Sequence, residues 1–541
     1  MTRDRAVIVG LALLAGVVAF WLAFRTLLPG LYLWDTGELQ TVGPVLGTGH
    51  PTGFPAWIML GWLASILLQP FGDPAFRMNL LSAILGAAAA GTTVLLVIRL
   101  TDRRWIGLGA GLLLATLPIA WQIATRADVH ALHLALVAIL LGLLVDWERR
   151  RASADRDGRE HRADRSLVAG ALVFGIALAN HNLSILLIPG IALYVLVVEP
   201  GILHRPWFVW RCLGTTLVTA GLLYLELPLR AGPFPAPLVY GQPNTLSGFL
   251  YVVLGAQFAG SVGGPLTDLG SKLAWLAAQA VAQFGPLAWL VPVGLVVTVL
   301  RRPRYAVLTL PGFVLTCWFA TSYQNAEIWR YLLGPAMIAI TWLAVLAAEV
   351  VRLAELALGH APAGSLARSL AASDSVDELD TGAGSEGIDP GGRRRAGGLV
   401  EIALVGLLLA PALSAIPTTW RAVDRSADRT ASQWLAAVLP KLDPHGVVIS
   451  WWSYSTPLWY AQIIDLMIPQ VSIVDDRTRL DEGLGSVTDV INANLGKRAV
   501  YLVRLPADLA PLQQEYTMTL VDSTDPTQPV YEVTGRVEAQ P

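Results

Sequence analysis

The sequence predicts an all-α bundle of about eleven membrane-spanning helices with a small extracytoplasmic α/β domain at its C-terminal end. Hydrophobic residues make up 54% of the 541 residues and charged residues only 14%, a composition typical of polytopic membrane proteins. Long apolar runs recur as far as residue 416, whereas residues 420–541 contain shorter β-rich runs separated by polar segments. These two regions therefore predict two different architectures in one chain.

Eleven apolar segments suit a bilayer, which needs about 20 residues per helix. They are 6–28, 77–99, 105–122, 131–147, 167–181, 182–199, 209–229, 273–299, 305–321, 329–351 and 399–416. The first could also be a signal peptide, but it is long and lacks a small-residue cleavage site, so we expect a retained anchor. The run 55–69 is shorter and lies between two prolines, so we expect it to lie at the membrane surface without crossing.

Basic residues predict which loops face the cytoplasm. With a cytoplasmic N-terminus, the inner loops contain the arginine clusters, including seven arginines from Arg149 to Arg165, whereas the outer loops together contain only Arg126, Arg230 and Lys272. This distribution follows the positive-inside rule. We therefore expect a multi-pass protein of the cell membrane with a cytoplasmic N-terminus and an extracytoplasmic C-terminal domain.

Four regions follow along the chain. We predict a transmembrane catalytic domain at 1–358 with a long outer loop at 29–76, a disordered cytoplasmic linker at 359–398 that is rich in Ala, Gly, Ser and Asp, a last span at 399–416, and the outer domain at 420–541. In the outer domain, three buried strands are predicted at 447–452, 471–475 and 499–503, with a helix at 455–468. Trp451 and Trp452 are interpreted as packing residues.

The net charge and the cysteine content argue against a nucleic-acid-binding protein and against a disulfide-stabilised one. The net charge of −2 gives no general attraction to nucleic acid. The two cysteines, Cys212 and Cys317, both lie in apolar runs, which predicts small core residues and not a disulfide framework.

Ionisable residues collect at the predicted outer ends of the spans. Asp35, Glu38 and His50 share the first outer loop, and such groups beside lipid are costly, so they usually mark a functional site. A helix cap could explain Asp35 and Glu38, but not His50. The same face collects Arg77, Arg126, Asp128, His130, Asn180, His181, Arg330 and Tyr331. We therefore predict a polar cavity that opens outward.

Three classes of function fit such a cavity. A transferase that uses a lipid-linked donor needs a carboxylate for the acceptor proton and cations for the departing phosphate. Asp35 is the candidate base, and the candidates for the phosphate are His50, Arg77, Arg126, His181 and Arg330. A transporter or flippase of lipid-linked sugar should show broken helices in two related halves, and the sequence has no such repeat. A non-catalytic membrane assembly or binding protein is the third alternative.

Several motifs resemble those of the GT-C superfamily of membrane glycosyltransferases, and most of all its protein O-mannosyltransferase-like branch. They are Asp35-Thr-Gly-Glu38, His50-Pro-Thr-Gly-Phe-Pro55, Arg77-Met-Asn-Leu-Leu-Ser82, Gly175-Ile-Ala-Leu-Ala-Asn180-His181 and Gly241-Gln-Pro-Asn-Thr-Leu-Ser-Gly-Phe249. Two positions depart from the branch. Thr52 replaces a second proline, and Asp128-Val-His130 stands where Glu-Val-Tyr is usual.

The resemblance implies transfer of a hexose, with mannose as the candidate, from a polyprenyl-phosphate donor to a protein or glycan hydroxyl by an inverting single displacement. Asp35 would act as the base, Glu38 would support it, and Asp128 would help to place the substrate. The expected substrate-binding residues are His50, Arg77, Arg126, His130, Asn180, His181, Arg330 and Tyr331.

No metal ligand and no firm cofactor is expected. Asp35, Asp128 and His50 could together hold Mg²⁺ or Mn²⁺, which favour oxygen-rich ligand sets, but neutralisation of the phosphate by arginines would make an ion unnecessary. The expected partners are the lipid-linked sugar, the acceptor and the bilayer, and not nucleic acid.

Overall fold

The computed structural model describes residues 3–157, 160–264, 267–357 and 390–537. Within these ranges, nine helices are long and apolar enough to cross a membrane: Asp4–Arg25, Pro74–Thr101, Val129–Ser153, Arg162–Asn180, Pro206–Ala231, Leu269–Arg301, Pro303–Ser322, Ile328–Leu356 and Gly398–Val423. They account for nine of the eleven predicted spans, and the predicted membrane bundle is confirmed.

The other two predicted spans are helical but shorter. The segment 105–122 contains the helix Arg104–Thr116 and then a separate helix, Pro118–Ile123, because Leu117 before the proline is extended. The segment 182–199 forms the apolar helix Asn182–Val198, whose first turns are a 3₁₀ helix. Prolines therefore divide or shorten both segments, which hydrophobicity alone does not reveal.

The remaining helices of the first 357 residues connect these segments. They are Trp34–Val45, Pro55–Leu67, Pro200–His204 and Leu246–Ser261. The run 55–69, expected not to span, forms the helix Pro55–Leu67 of 13 residues. Most of the predicted linker at 359–398 lies outside the described residues, and the helix that follows it is Pro390–Val423.

The arginine-rich loops and the loops that contain candidate site residues lie at opposite ends of the bundle. Arg99, Arg149 and Arg301 line a cavity at the arginine-rich end. At the other end, Asn79 accepts a hydrogen bond from the backbone of Ala127 at 2.9 Å and donates one to the carbonyl of Gly30 at 3.0 Å. The helix Pro74–Thr101 joins these two ends and is about 40 Å long at 1.5 Å per residue. Arginine clusters and candidate site residues are therefore well separated.

The C-terminal domain contains one sheet of five strands, in the order β2-β1-β3-β5-β4. The strands are β1 (Val447–Ser450), β2 (Ser472–Val474), β3 (Val500–Val503), β4 (Tyr516–Asp522) and β5 (Val530–Arg536). The helices around them are Thr430–Val438, Trp452–Ile463, Asp476–Asp481, Val487–Asn494 and Pro506–Glu515. β1 pairs in parallel with β2 and β3, and β4 and β5 form an antiparallel pair. The three predicted strands are confirmed, although Trp452 begins a helix and does not end a strand.

The C-terminal domain packs directly on the loop region 29–76. Its helix Trp452–Ile463 lies against the helix Trp34–Val45, and the approach is so close that a Cβ at Gly37 would lie 2.7 Å from Oγ1 of Thr456. A side chain at position 37 would therefore separate the two helices. The hydroxyl of Tyr460 also accepts a hydrogen bond from the backbone nitrogen of Ala75 at 3.2 Å. The domain therefore contacts this region of the chain near both its beginning and its end.

Candidate active site

Two cavities meet at Asp35. One has a volume of about 340 Å³ and the other about 360 Å³. Five residues line both cavities: Asp35, His50, Phe258, Asn325 and Arg330. A group bound in either cavity can therefore reach the same carboxylate.

The first cavity, called the apolar cavity below, lies among the helices of the bundle. Most of its wall is hydrophobic or aromatic and includes Leu39, Phe54, Leu186, Phe319 and Tyr331. The second, called the polar cavity, lies between the loops at this end of the bundle and the C-terminal domain. Its wall includes Trp34, Glu327, Trp452, Asp475, Asp476, Arg477 and Asp481. The apolar cavity is suited to a hydrocarbon chain, and the polar cavity to a hydrophilic group.

Asp35 is fixed by two hydrogen bonds from distant parts of the chain. Arg330 donates from Nη2 to Oδ2 at 2.9 Å, and Trp452 donates from Nε1 to Oδ1 at 3.1 Å. Burial alone would raise the pKa of Asp35, but the charges of His50 and Arg330 and these two hydrogen bonds outweigh it and lower the pKa to about 2. Asp35 is therefore ionised at neutral pH.

Arg330 joins Asp35 to the second candidate carboxylate. Its Nη1 lies 3.5 Å from Oδ2 of Asp128, and only 8% of its side chain is exposed. The two carboxylates, more than 90 residues apart in sequence, thus lie on the same side of the bundle and share one guanidinium. Asp128 also accepts hydrogen bonds from the backbone and from Nδ1 of His130, both at 2.8 Å, which directs that ring into the apolar cavity.

Glu38 contacts His50 and lines neither of the two cavities. It is fully buried, and its two oxygens accept from the backbone nitrogen of His50 at 2.6 Å and contact Nδ1 at 2.5 Å. Burial lowers the pKa of His50, but the nearby carboxylates of Glu38 and Asp35 outweigh it, so the pKa is raised above its usual value of 6.5. The carboxylates of Glu38 and Asp35 thus favour the protonated form of His50, which lies at the junction of the two cavities.

His181 and Tyr331 complete one wall of the apolar cavity. Their ring centroids lie 5.6 Å apart, and that of His130 lies 4.8 Å from His181. Burial, followed by the charges of neighbouring basic groups, lowers the pKa of His181. His181 is therefore neutral, with its Nδ1 accepting a hydrogen bond from Leu183 at 3.1 Å.

Three predicted substrate-binding residues lie outside the walls of both cavities. Arg77 donates to the carbonyls of Ser65 and Gly72 and so closes the first outer loop. Asn180 donates to the carbonyl of Val129 at 3.1 Å. Arg126 pairs with Glu327 at 2.5 Å. Arg77 and Asn180 therefore support loops and helix ends, while Arg126 reaches the site through Glu327.

The sequence interpretation missed the contribution of the C-terminal domain. Trp452 was interpreted as a packing residue, but its indole bonds Asp35. Arg477 was not singled out at all, although it lines the polar cavity. The available signal was the polar run Asp475-Asp476-Arg477 at the end of a predicted buried strand, because the C-terminal ends of parallel strands often carry binding residues.

No group of three or more His, Cys, Asp and Glu residues in the described part of the chain is arranged to hold a metal ion. Asp35 and Asp128 both face Arg330, and His50 faces Glu38. The residues considered as ligands of Mg²⁺ or Mn²⁺ thus already have partners within the protein, and metal dependence stays a prediction.

Comparison with solved structures shows which fold the chain has. ArnT from Cupriavidus metallidurans bound to undecaprenyl phosphate matches with a TM-score of 0.54 at 16% identity, over 97% of this chain and 98% of that one. The apo oligosaccharyltransferase of Archaeoglobus fulgidus matches with a TM-score of 0.53 at 14% identity, over 92% of this chain and 69% of that one. The chain therefore has the GT-C fold, as the motifs predicted.

Sequence comparison is more specific for the N-terminal part. Residues 35–201 match the family model of the Protein O-mannosyl-transferase TMEM260 N-terminal domain. The Protein O-mannosyl-transferase TMEM260 of Mus musculus is 33% identical over 256 residues, which are 46% of this chain and 34% of the relative. The protein of the same name in Dictyostelium discoideum is 23% identical over 261 residues, 46% of this chain and 32% of the relative. The chain thus spans about a third of the length of these relatives, and the resemblance to their branch is confirmed.

Proposed function

We propose that this protein is a glycosyltransferase that moves a hexose from a polyprenyl-phosphate donor to a hydroxyl of a protein or glycan. The observation that carries the proposal is the position of Asp35, an ionised carboxylate at the junction of an apolar and a polar cavity. Transfer between a lipid-linked donor and a polar acceptor needs the two substrates to meet at one base, and this junction provides such a point.

The proposed reaction is an inverting single displacement. The acceptor oxygen attacks the anomeric carbon, the bond from that carbon to the phosphate oxygen breaks, and the phosphate leaves with the electron pair. Asp35 takes the acceptor proton. A carboxylate with a pKa of about 2 is a weak base, but the attacking oxygen becomes strongly acidic as its new bond forms, so Asp35 can accept the proton late in the step.

The leaving phosphate would lie beside His50 and Arg330, which line both cavities. Their positive charges oppose the charge that develops on the phosphate oxygens, and such stabilisation is often the largest contribution to catalysis. The isoprenoid chain would occupy the apolar cavity. ArnT, which has the same fold, has been solved with undecaprenyl phosphate bound, which supports this class of donor.

Mannose is the proposed sugar because the relatives are named protein O-mannosyl-transferases. We propose that the site faces the outside of the cell and that the N-terminus is cytoplasmic. The arginine clusters lie at the end of the bundle opposite Asp35, which is the arrangement expected if the positive-inside rule holds.

The test is sugar transfer in proteoliposomes with a panel of radiolabelled polyprenyl-phosphate sugars and membrane protein extract as the acceptor. Wild type is compared with Asp35→Asn, which keeps the shape of the side chain and removes the base. We expect transfer by wild type alone and the same thermal stability for both to within a few degrees. An active Asp35→Asn enzyme would contradict the role of Asp35, and no transfer from any donor would contradict the enzyme and lead to a flipping assay.

A further inference from the structure

Arg477 is a buried cation whose hydrogen-bonding capacity is unused. Its exposed fraction is 6%, and none of its three guanidinium nitrogens has a hydrogen-bond partner in the described structure. The guanidinium stacks on the ring of Tyr240, with 3.4 Å between its carbon and the ring centroid, and the nearest carboxylate, Asp481, lies 3.6 Å away. Buried arginine donors normally have partners because leaving them unpaired is costly. The arrangement therefore suits a ligand.

The position of Arg477 indicates where that ligand lies. Arg477 and Asp481 line the polar cavity together with Asp35. Two tryptophans face the same space. Trp452 bonds Asp35, and Trp34 keeps 42% of its surface exposed although it precedes Asp35 directly. Trp34 has a φ of +59°, a backbone conformation that a bulky residue rarely adopts. Residues held in such strained backbone conformations cluster at functional sites.

We propose that the polar cavity is the hexose-binding subsite and that Arg477 and Asp481 of the C-terminal domain bind neighbouring sugar hydroxyls. This inference rests on the proposed glycosyl transfer. Arg477 offers only donors and Asp481, when ionised, only acceptors. Neighbouring hydroxyls, which both accept and donate, satisfy such a pair. Trp34 is placed to cover the apolar face of the ring. The volume of about 360 Å³ is ample for a hexose.

The charge balance favours a neutral sugar over a phosphate as the ligand of Arg477. Asp475, Asp476 and Asp481 line the same cavity, and an anionic phosphate there would approach three carboxylates. The phosphate has cations available at the junction, where His50 and Arg330 also border the apolar cavity. With the phosphate at the junction and the chain in the apolar cavity, the sugar extends into the polar cavity toward Arg477.

The test compares Arg477→Gln with wild type in nanodiscs, using polyprenyl-phosphate mannose and sugar-free polyprenyl phosphate as probes. Arg479→Gln is the matched control, since Arg479 lies on the same helix and bonds the carbonyl of Gly485 outside the cavity. Loss of hydrogen bonds between a charged group and a sugar hydroxyl should lower kcat/KM for the mannose donor by about 10-fold to 100-fold. Binding of the sugar-free phosphate should change less than about twofold, and Arg479→Gln should match wild type.

Stability provides a readout that a purely structural arginine would not give. Arg477→Gln loses the stacking on Tyr240 and the 3.6 Å contact with Asp481, so the Tm of the unliganded protein should fall slightly. The rise in Tm on adding the mannose donor should be smaller than in wild type, whereas loss of a purely structural arginine would lower the Tm and leave that rise unchanged. If Arg477→Gln weakened the binding of both probes equally, Arg477 would be assigned to the phosphate and the sugar subsite would be overturned. An unchanged kcat/KM would also overturn the sugar subsite. Failure of wild type to transfer any sugar would instead overturn the proposed function, so the two failures are distinguishable.

Asp481→Asn provides a second, independent variant. It keeps an acceptor oxygen but loses the charge, and we expect a smaller loss of kcat/KM than for Arg477→Gln, again without weaker binding of sugar-free polyprenyl phosphate. An unchanged kcat/KM for Asp481→Asn would remove Asp481 from the subsite.

Discussion

The indole nitrogen of Trp452 donates a hydrogen bond of 3.1 Å to Oδ1 of Asp35, joining residues that lie 417 positions apart in the chain. Trp452 belongs to the C-terminal domain and Asp35 to the first outer loop of the bundle. The candidate base is therefore oriented by a domain whose described residues, 430–537, include no helix long and apolar enough to cross a membrane. This contact makes the C-terminal domain part of the site and not an appendage.

We predict that Trp452→Phe lowers kcat/KM by roughly tenfold while the protein still folds. The phenylalanine ring retains most of the packing but cannot donate to Asp35, and a hydrogen bond to a charged group is worth about 1.5–3 kcal/mol. Steady-state kinetics with the sugar donor checks the effect. Trp459→Phe is the control, because Trp459 is a buried ring of the same helix. Equal losses in both variants would indicate damage to the helix instead.

Arg330→Gln should be strongly destabilising. It leaves Asp128, with a side chain only 1% exposed, and Asp35 without their shared cation, and removal of one partner of a buried ion pair costs about 3–5 kcal/mol. Thermal unfolding in detergent measures the loss. Arg330→Lys should recover part of it, and adding Asp35→Asn to Arg330→Gln should recover more, because one unpaired carboxylate is removed. An unchanged Tm for Arg330→Gln would contradict the bridging role.

The pair of His50 and Glu38 should make stability fall as the pH rises. The pKa of His50 is raised in the folded protein because the attraction of Glu38 and Asp35 outweighs the effect of burial. The stabilisation is therefore fully present below about pH 6.5, the unfolded value, and is lost as the pH rises through the higher folded pKa. We expect the Tm of wild type to fall from about pH 6 to about pH 9 more steeply than that of His50→Gln. Parallel curves would show that this pair does not contribute.

Transfer should persist after exhaustive treatment with EDTA. Arg330 places a guanidinium at the junction where the phosphate would leave, beside His50, whose protonated form Glu38 and Asp35 favour, so we expect no divalent ion to be required to neutralise it. Initial rates before and after chelation test this expectation. Loss of activity that Mn²⁺ or Mg²⁺ restores would establish a metal requirement and would point to Asp35, Asp128 and His50 as the ligands to examine.

The membrane bundle could be predicted because its signal is long and repeated. Apolar runs give helices, and the clustered polar residues at their ends correctly predicted that Asp35, His50, Asp128 and Arg330 come together. The two short segments beginning at Arg104 and Asn182 show the limit of this reasoning. Hydrophobicity predicts where a helix lies. Where the helix ends depends on a proline, or on the extended residue that precedes that proline.

The contacts of individual polar residues were harder to predict, because residue type and approximate position in the chain do not determine which way a side chain points. Arg77 and Arg330 were equivalent candidates in the sequence, yet Arg77 binds backbone carbonyls while Arg330 bridges two carboxylates. Trp452 and Arg477 were missed for a different reason. Their contact with the bundle depends on how the C-terminal domain docks, and a single sequence gives no measure of such long-range pairing.

The close contact at Gly37 bears on how the protein is made. Helix Trp34–Val45 is synthesised early, whereas Trp452, Thr456 and Arg477 emerge from the ribosome more than 400 residues later. A chain inserted up to its last span would already hold its lipid-facing cavity but would lack one wall of the site. If the proposed function holds, such a chain would not transfer sugar until the C-terminal domain folds and docks against helix Trp34–Val45 at Gly37.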